Sequence, residues 1–263
     1  MRLAPRLAGG IAGIGWLFGL SSASGHIPPP PDTLRILANN THHGAGLDGV
    51  LDRERIASVI RSVDPDVVAL QEVDQGVERT DRVVQAGAYG SLTGMEAVFG
   101  AFMEYQGGRY GMALLSRHPI LSWENHRLPP GAEPRSALTA RIRMPASGRE
   151  VVVAGIHFYR TEEERMAQAR RTAEILEPHT VPVLLAGDFN SLPGSPVMEL
   201  LAQGWAVPEK EGPRYTFPAD EPAREIDFIL VRPHDGFRVL EYRVLEDPVA
   251  SDHRPVLMVV EIH

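Results

Sequence analysis

The chain has no cysteine in its 263 residues. This excludes a disulfide framework and lipid attachment at a cysteine, so stability must come from packing alone. Aromatic residues make up only 6%, and Trp123 and Trp205 stand isolated, so no aromatic hairpin of the kind that enters a bilayer is visible. Positive charge is also in short supply: 26 Lys and Arg face 34 Asp and Glu, for a formal net charge of −8. A holder of long nucleic acid would show a basic stripe, because phosphate neutralisation supplies most of such affinity. None is visible, and the cluster Arg165, Arg170 and Arg171 reads as the solvated face of a helix.

One apolar stretch is long enough to notice. Leu7 to Leu20 follows Arg2 and Arg6 and precedes the small residues Ser21, Ser22, Ala23, Ser24 and Gly25. Residues 1–25 therefore read as a secretory signal peptide, cleaved near Ala23 or Gly25, which sends the protein out of the cell or to the periplasm. The stretch is short and interrupted by glycine for a membrane span, so no stable span is expected in the mature form; an uncleaved amino-terminal anchor is the alternative. Its removal takes away two arginines and no acid, so the charge moves from −8 to −10. Residues 26–33, with Pro28 to Pro31, read as a stiff extended linker, and residues 34–263 are expected to fold as one domain and to act as a monomer.

Hydrophobic periodicity sets the elements. Leu34 to Asn40 reads as a strand, Asp52 to Val63 as a helix with Ile56, Val59, Ile60 and Val63 on one face, and Val67 to Val73 as a second buried strand. A helix is expected from about Asp81 to Leu92, weakened by Gly87 and Gly90. Five consecutive strands follow between Ala97 and Phe158, a pattern that favours antiparallel pairing. Thr161 and Glu164 form a capping-box signature for a helix towards Leu176. After it come the strand Val183 to Phe189, a short helix from Pro196 and three closing strands, the first spanning Ile226 to Val231. The order implies two mixed β-sheets packed face to face with helices outside.

Several of these strands end in polar groups. Asn40, Glu72, His157 and the pair Asp188 and Asn190 occupy such ends, and strand alternation points Asp188 and Asn190 the same way, with Gly187 leaving room for close approach. Asp227 lies in the apolar run Ile226 to Leu230, where a buried carboxylate needs a partner such as a histidine it orients; Asp252 and His253 precede the last strand. Carboxylate and amide oxygens suit Mg2+, Mn2+ or Ca2+ better than zinc, and Glu72 is the leading ligand. His42 and His43, beside Gly44, fit a polar turn as well as a substrate contact.

Asn40, Leu70-Gln71-Glu72-Val73, Gly155-Ile156-His157, Gly187-Asp188-Phe189-Asn190, Ile226-Asp227 and Ser251-Asp252-His253-Arg254-Pro255 together resemble the endonuclease/exonuclease/phosphatase superfamily, over about Leu34 to the carboxyl terminus. The resemblance implies a four-layer α/β sandwich that cleaves phosphate esters with a divalent metal. It implies Glu72 as metal ligand helped by Asn40 and Asp252, catalytic roles for His157, Asp188, Asn190, Asp227 and His253, and substrate contact by Arg135, with His43 a further candidate. Departures fall at Asn39, Phe158 and Met112, beside the expected cleft. The expected activity is that of a secreted or periplasmic phosphoesterase using Mg2+, Mn2+ or Ca2+. A small phosphorylated molecule or a phospholipid head group is favoured over nucleic acid; an extracellular nuclease and a non-catalytic phosphate-binding module are the alternatives.

Overall fold

The computed structural model describes Met1 and residues 32–263, so the expected signal peptide and most of the linker lie outside the described residues. Strand β1 (Asp32–Asn40) starts two residues before the expected Leu34, because Asp32 already pairs with Ile262 of the last strand. The domain thus takes in the end of the expected linker. Helix α1 (Arg53–Ser62) follows, opened by the Asp52 carboxylate accepting the Arg55 N–H at 3.0 Å, and it buries Ile56 and Ile60. The chain returns in β2 (Val67–Gln75), parallel to β1, closing a β-α-β unit. The helix expected over residues 81–92 begins later, as α2 (Gln85–Thr93), because Asp81 and Arg82 take left-handed backbone angles after a 3-10 turn at Glu78–Thr80.

The run of strands then divides. β3 (Glu96–Tyr105) and β4 (Gly108–Ser116) join the first sheet; β5 (Ile120–Arg127), β6 (Ser136–Arg143) and β7 (Glu150–His157) start the second, every neighbour within each run being antiparallel as expected. Helix α3 (Glu162–Leu176) carries the chain to β8 (Val183–Asp188), parallel to β7, a second β-α-β unit. The capping pair at its start bonds side chain to side chain, Thr161 Oγ1 to Glu164 at 2.6 Å, and the Thr161 side chain makes no bond to the helix backbone. Helix α4 (Pro196–Ala202) and strands β9 (Asp227–Arg232), β10 (Phe237–Val244) and β11 (Val256–Ile262) complete the fold.

The sheets run β10-β11-β1-β2-β4-β3 and β5-β6-β7-β8-β9. Leu34, Ile36 and Met258 of one face Leu138, Leu184 and Ile229 of the other in a shared apolar layer, each such side chain contributing about 2 kcal/mol by leaving water. Helices α1 and α2 cover the outside of the first sheet through Ile56, Ile60 and Tyr89; α3 and α4 cover the second through Ala169, Leu176 and Leu201. These are the four layers expected from the sequence. Among the described residues no helix is long and apolar enough to cross a membrane.

Candidate active site

Pairing register assembles half of the site. His157 of β7 lies opposite Asp188 of β8, and Asp188 lies opposite Asp227 of β9, so an imidazole and two carboxylates sit in a row at one end of the second sheet. Gly187 makes the row possible. Its φ is +144°, and a Cβ there would lie 2.0 Å from the Ile156 carbonyl oxygen and 3.0 Å from Gln71 Nε2 of the facing sheet. Gly187→Ala should therefore force β7 and β8 apart and destabilise the protein by roughly 3 kcal/mol, read by urea unfolding; an unchanged midpoint would contradict this packing.

The chain leaves β8 in a left-handed turn. Asn190 has φ +49°, its N–H donates to Asp188 Oδ1 at 2.8 Å, and its Nδ2 donates to the Phe158 carbonyl at 3.0 Å and to Asp188 Oδ2 at 3.3 Å. Asp188 and Asn190 do meet, but through this turn and not through strand alternation, while Phe189 enters the outer core as expected.

The first sheet supplies the rest. Glu72 does not end β2: it occupies a bulge between Gln71 and Val73 with φ +58°, and the strand continues to Gln75. The bulge turns the carboxylate into the gap between the sheets. Asn40 ends β1 as expected and bridges the sheets, its Nδ2 lying 3.3 Å from both Glu72 Oε1 and Asp188 Oδ2. In the loop before β11, Ser251 Oγ donates to the Asn40 carbonyl at 2.7 Å and accepts the His253 N–H at 3.3 Å. His253 Nδ1 then meets Asp227 at 2.9 Å, the partner that a buried Asp227 requires, and its Nε2 lies 3.8 Å from Asp188 Oδ2.

These groups open onto a cleft of about 550 Å³. Glu72, Arg135, His157, Asp188, Asn190, Asp252 and His253 line it, and so do both His42 and His43, which form a 3-10 turn after β1 and face the cleft from it. Asn40 and Asp227 lie buried beneath its floor. Arg165 also lines the cleft, so only Arg170 and Arg171 fulfil the solvated-face expectation. Arg79, Arg160, Arg224, Tyr110 and Phe217 belong to the lining without having been singled out in the sequence. Arg160 carried one usable signal, its place three residues beyond the strand-end His157. The departures at Asn39, Phe158 and Met112 do not face the cleft: all three are buried, Met112 between the sheets and Phe158 under α3 and α4.

Burial and charge set the protonation states. Burial alone would lower the His253 pKa, but the carboxylates of Asp227 and Asp188 outweigh it and raise the value to about 10. His157 goes the other way: burial, then the charges of Arg135 and His253, hold it well below 6.5 and neutral. Asp188 is raised, first by burial and then by Asp227, with a smaller contribution from Glu72. His43 falls to about 4 through burial and the charge of Arg79. The two imidazoles beside Asp188 are thus held in opposite states.

The family model for the Endonuclease/Exonuclease/phosphatase family matches residues 40–253. The chain belongs to this family. Among its relatives, the uncharacterized protein YbhP of Escherichia coli K12 is 29% identical over 246 residues, covering 88% of this chain and 96% of YbhP. A solved endonuclease/exonuclease/phosphatase from Beutenbergia cavernae is 26% identical at a TM-score of 0.69, covering 88% of this chain and 72% of that one. The mannosyl-6-phosphatase Bt3783 of Bacteroides thetaiotaomicron shares the fold at 18% identity, with a TM-score of 0.71 over 86% of this chain and 99% of that one.

Endonuclease/exonuclease/phosphatase proteins are hydrolases of phosphate esters that generally use divalent metals. The donor set here fits such an ion. Glu72 and Asp252 are half-buried carboxylates on the cleft with no Arg, Lys or His nitrogen within 4.0 Å among the described residues. Asp188, Asp227 and His253 also bring ligand atoms within 4.8 Å of one another. In that buried cluster, however, His253 Nδ1 is already committed to Asp227.

Proposed function

We propose that the protein is a secreted or periplasmic, divalent-metal-dependent phosphoesterase that hydrolyses a small phosphate ester or a phospholipid head group by in-line attack of water. The observation that carries this reading is one arrangement: His253, kept protonated by Asp227 and Asp188, faces a cleft whose carboxylates Glu72 and Asp252 have no cationic partner among the described residues. Residues 1–25 support export, with an uncleaved amino-terminal anchor as the alternative.

Glu72 and Asp252 would hold Mg2+, Mn2+ or Ca2+, which supplies charge neutralisation at the attacked phosphate when bound. Asn40, whose Nδ2 donates to Glu72 and whose Oδ1 accepts the His42 N–H at 3.1 Å, positions the ligand carboxylate. Asp188, with its raised pKa, takes the proton of the attacking water as the P–O ester bond breaks, and the departing alkoxide takes a proton from bulk water and leaves as the alcohol. Asn190 places its Oδ1 to orient that water, since both Nδ2 hydrogens go to Phe158 and Asp188. His253 donates from Nε2 to the charge that builds on the phosphoryl oxygens, a task that suits an imidazolium better than general-base duty. Neutral His157 lies 3.3 Å from Asp188 Oδ2 and holds it in line, which is a positioning role and not that of a general acid. Arg135, ion-paired to Glu133 and stacked 4.9 Å from the Phe102 ring centroid, offers its guanidinium to phosphate.

The test is hydrolysis of bis-p-nitrophenyl phosphate, plasmid DNA, sphingomyelin and inositol phosphates with Mg2+, Mn2+ or Ca2+ and with chelator. Metal-dependent turnover of a small ester is expected. Turnover confined to DNA would move the assignment to a nuclease, and no turnover with any metal would defeat the enzyme reading.

A further inference from the structure

We propose that Arg160, Arg165 and Arg224 form a second anion subsite in the cleft, so that the substrate is a small molecule carrying a further phosphate group besides the one attacked. The proposal deepens, and rests on, the phosphoesterase reading.

Five arginines line the cleft of this acidic chain, and two of them are already answered. Arg79 grips Asp74 with two bonds at 2.8 and 2.9 Å and stacks 4.8 Å from the Tyr105 ring centroid; Arg135 is paired with Glu133. The other three have no carboxylate within 4.0 Å among the described residues. Arg165 spends one Nη on the Arg160 carbonyl, and its Nε is buried with no hydrogen-bond partner. Arg224 lies 4.6 Å from the Phe217 ring centroid, and that ring is 4.8 Å from the ring of His253, so its guanidinium rests on the ring that packs against the catalytic imidazole. Arg160, at the rim, contributes its charge to the low pKa of His157.

Outside the cleft some guanidiniums bond backbone carbonyls, as those of Arg35, Arg127, Arg149, Arg232 and Arg254 do, and others meet acids. Arg55, Arg61, Arg117, Arg171, Arg238 and Arg243 each meet an acid although they are partly or largely exposed. In a chain with more acids than bases, three cations without an acid in one cleft are an excess that a ligand can answer. The attacked phosphate would be served by His253, Arg135 and the ion that Glu72 and Asp252 would hold, which leaves this trio for other negative charge. Guanidinium forks match phosphate in a bidentate way. A long polyanion does not suit a cleft of about 550 Å³. A compact molecule with two phosphates does.

Calorimetric titration in chelator reads the subsite without turnover. The probes are fructose 1,6-bisphosphate against fructose 6-phosphate, and adenosine 3′,5′-bisphosphate against adenosine 5′-monophosphate. At least one bisphosphate should bind about tenfold tighter than its monophosphate, and the Arg160→Ala/Arg224→Ala double variant should shrink that ratio to about threefold or less. Arg170→Ala, on the solvated side of α3, should keep the wild-type ratio. Equal binding within both pairs, or a ratio that survives the double variant, overturns the proposal. Because binding is measured without metal, absence of hydrolysis in the separate assays would count against the phosphoesterase reading and leave the subsite measurement standing.

Discussion

His253→Ala is expected to lower kcat on any hydrolysed ester by about 10³-fold, with KM changing little, because the imidazolium acts on charge that builds during attack. A steady-state comparison with wild type checks this, and equal turnover would remove His253 from the reaction. The same substitution has a pH signature in chelator. The folded pKa of about 10 lies above the ordinary 6.5, so the stabilisation from protonated His253 is fully present below about pH 6.5 and is lost as pH rises through 10. The stability gap between wild type and His253→Ala should therefore narrow from pH 6.5 towards 10. A gap that widened over this range would mean that His253 is not held protonated by Asp227 and Asp188.

Glu72→Gln is the second large effect. It keeps the shape of the side chain on the β2 bulge and removes the charge proposed to hold the ion. Turnover should fall about 10²-fold, and the metal concentration for half-maximal activity should rise about tenfold or more. Magnesium should raise the melting temperature of wild type and leave that of Glu72→Gln nearly unmoved. In chelator the variant should be no less stable than wild type, since Glu72 adds to the negative charge that raises the Asp188 pKa. Equal stabilisation of both proteins by magnesium would exclude Glu72 as a ligand.

Much of this was legible in residue order because burial writes itself into periodicity. Ile56 and Ile60 at helical spacing and the apolar runs of β1, β2, β7 and β8 located these elements, whose parallel pairings form the two β-α-β units. Their polar ends pointed to the site. The division of the strand run after β4 was not legible, since alternation marks a buried face without saying which sheet supplies the neighbour. Nor was the Glu72 bulge, because Leu-Gln-Glu-Val contains no glycine to signal a positive φ. Arg165 was misassigned for a related reason: helical spacing gives its angle around α3 but not that the first turn of α3 abuts the cleft. Net charge does not give local charge either: a chain of −8 still gathers five arginines around one opening.

The bridge of Asn40 between Glu72 of one sheet and Asp188 of the other makes the two halves of the molecule interdependent. Neither sheet alone carries both the carboxylate proposed to bind metal and the one proposed to activate water. If the protein is exported unfolded, as proposed from residues 1–25, it would stay catalytically latent until the sheets dock.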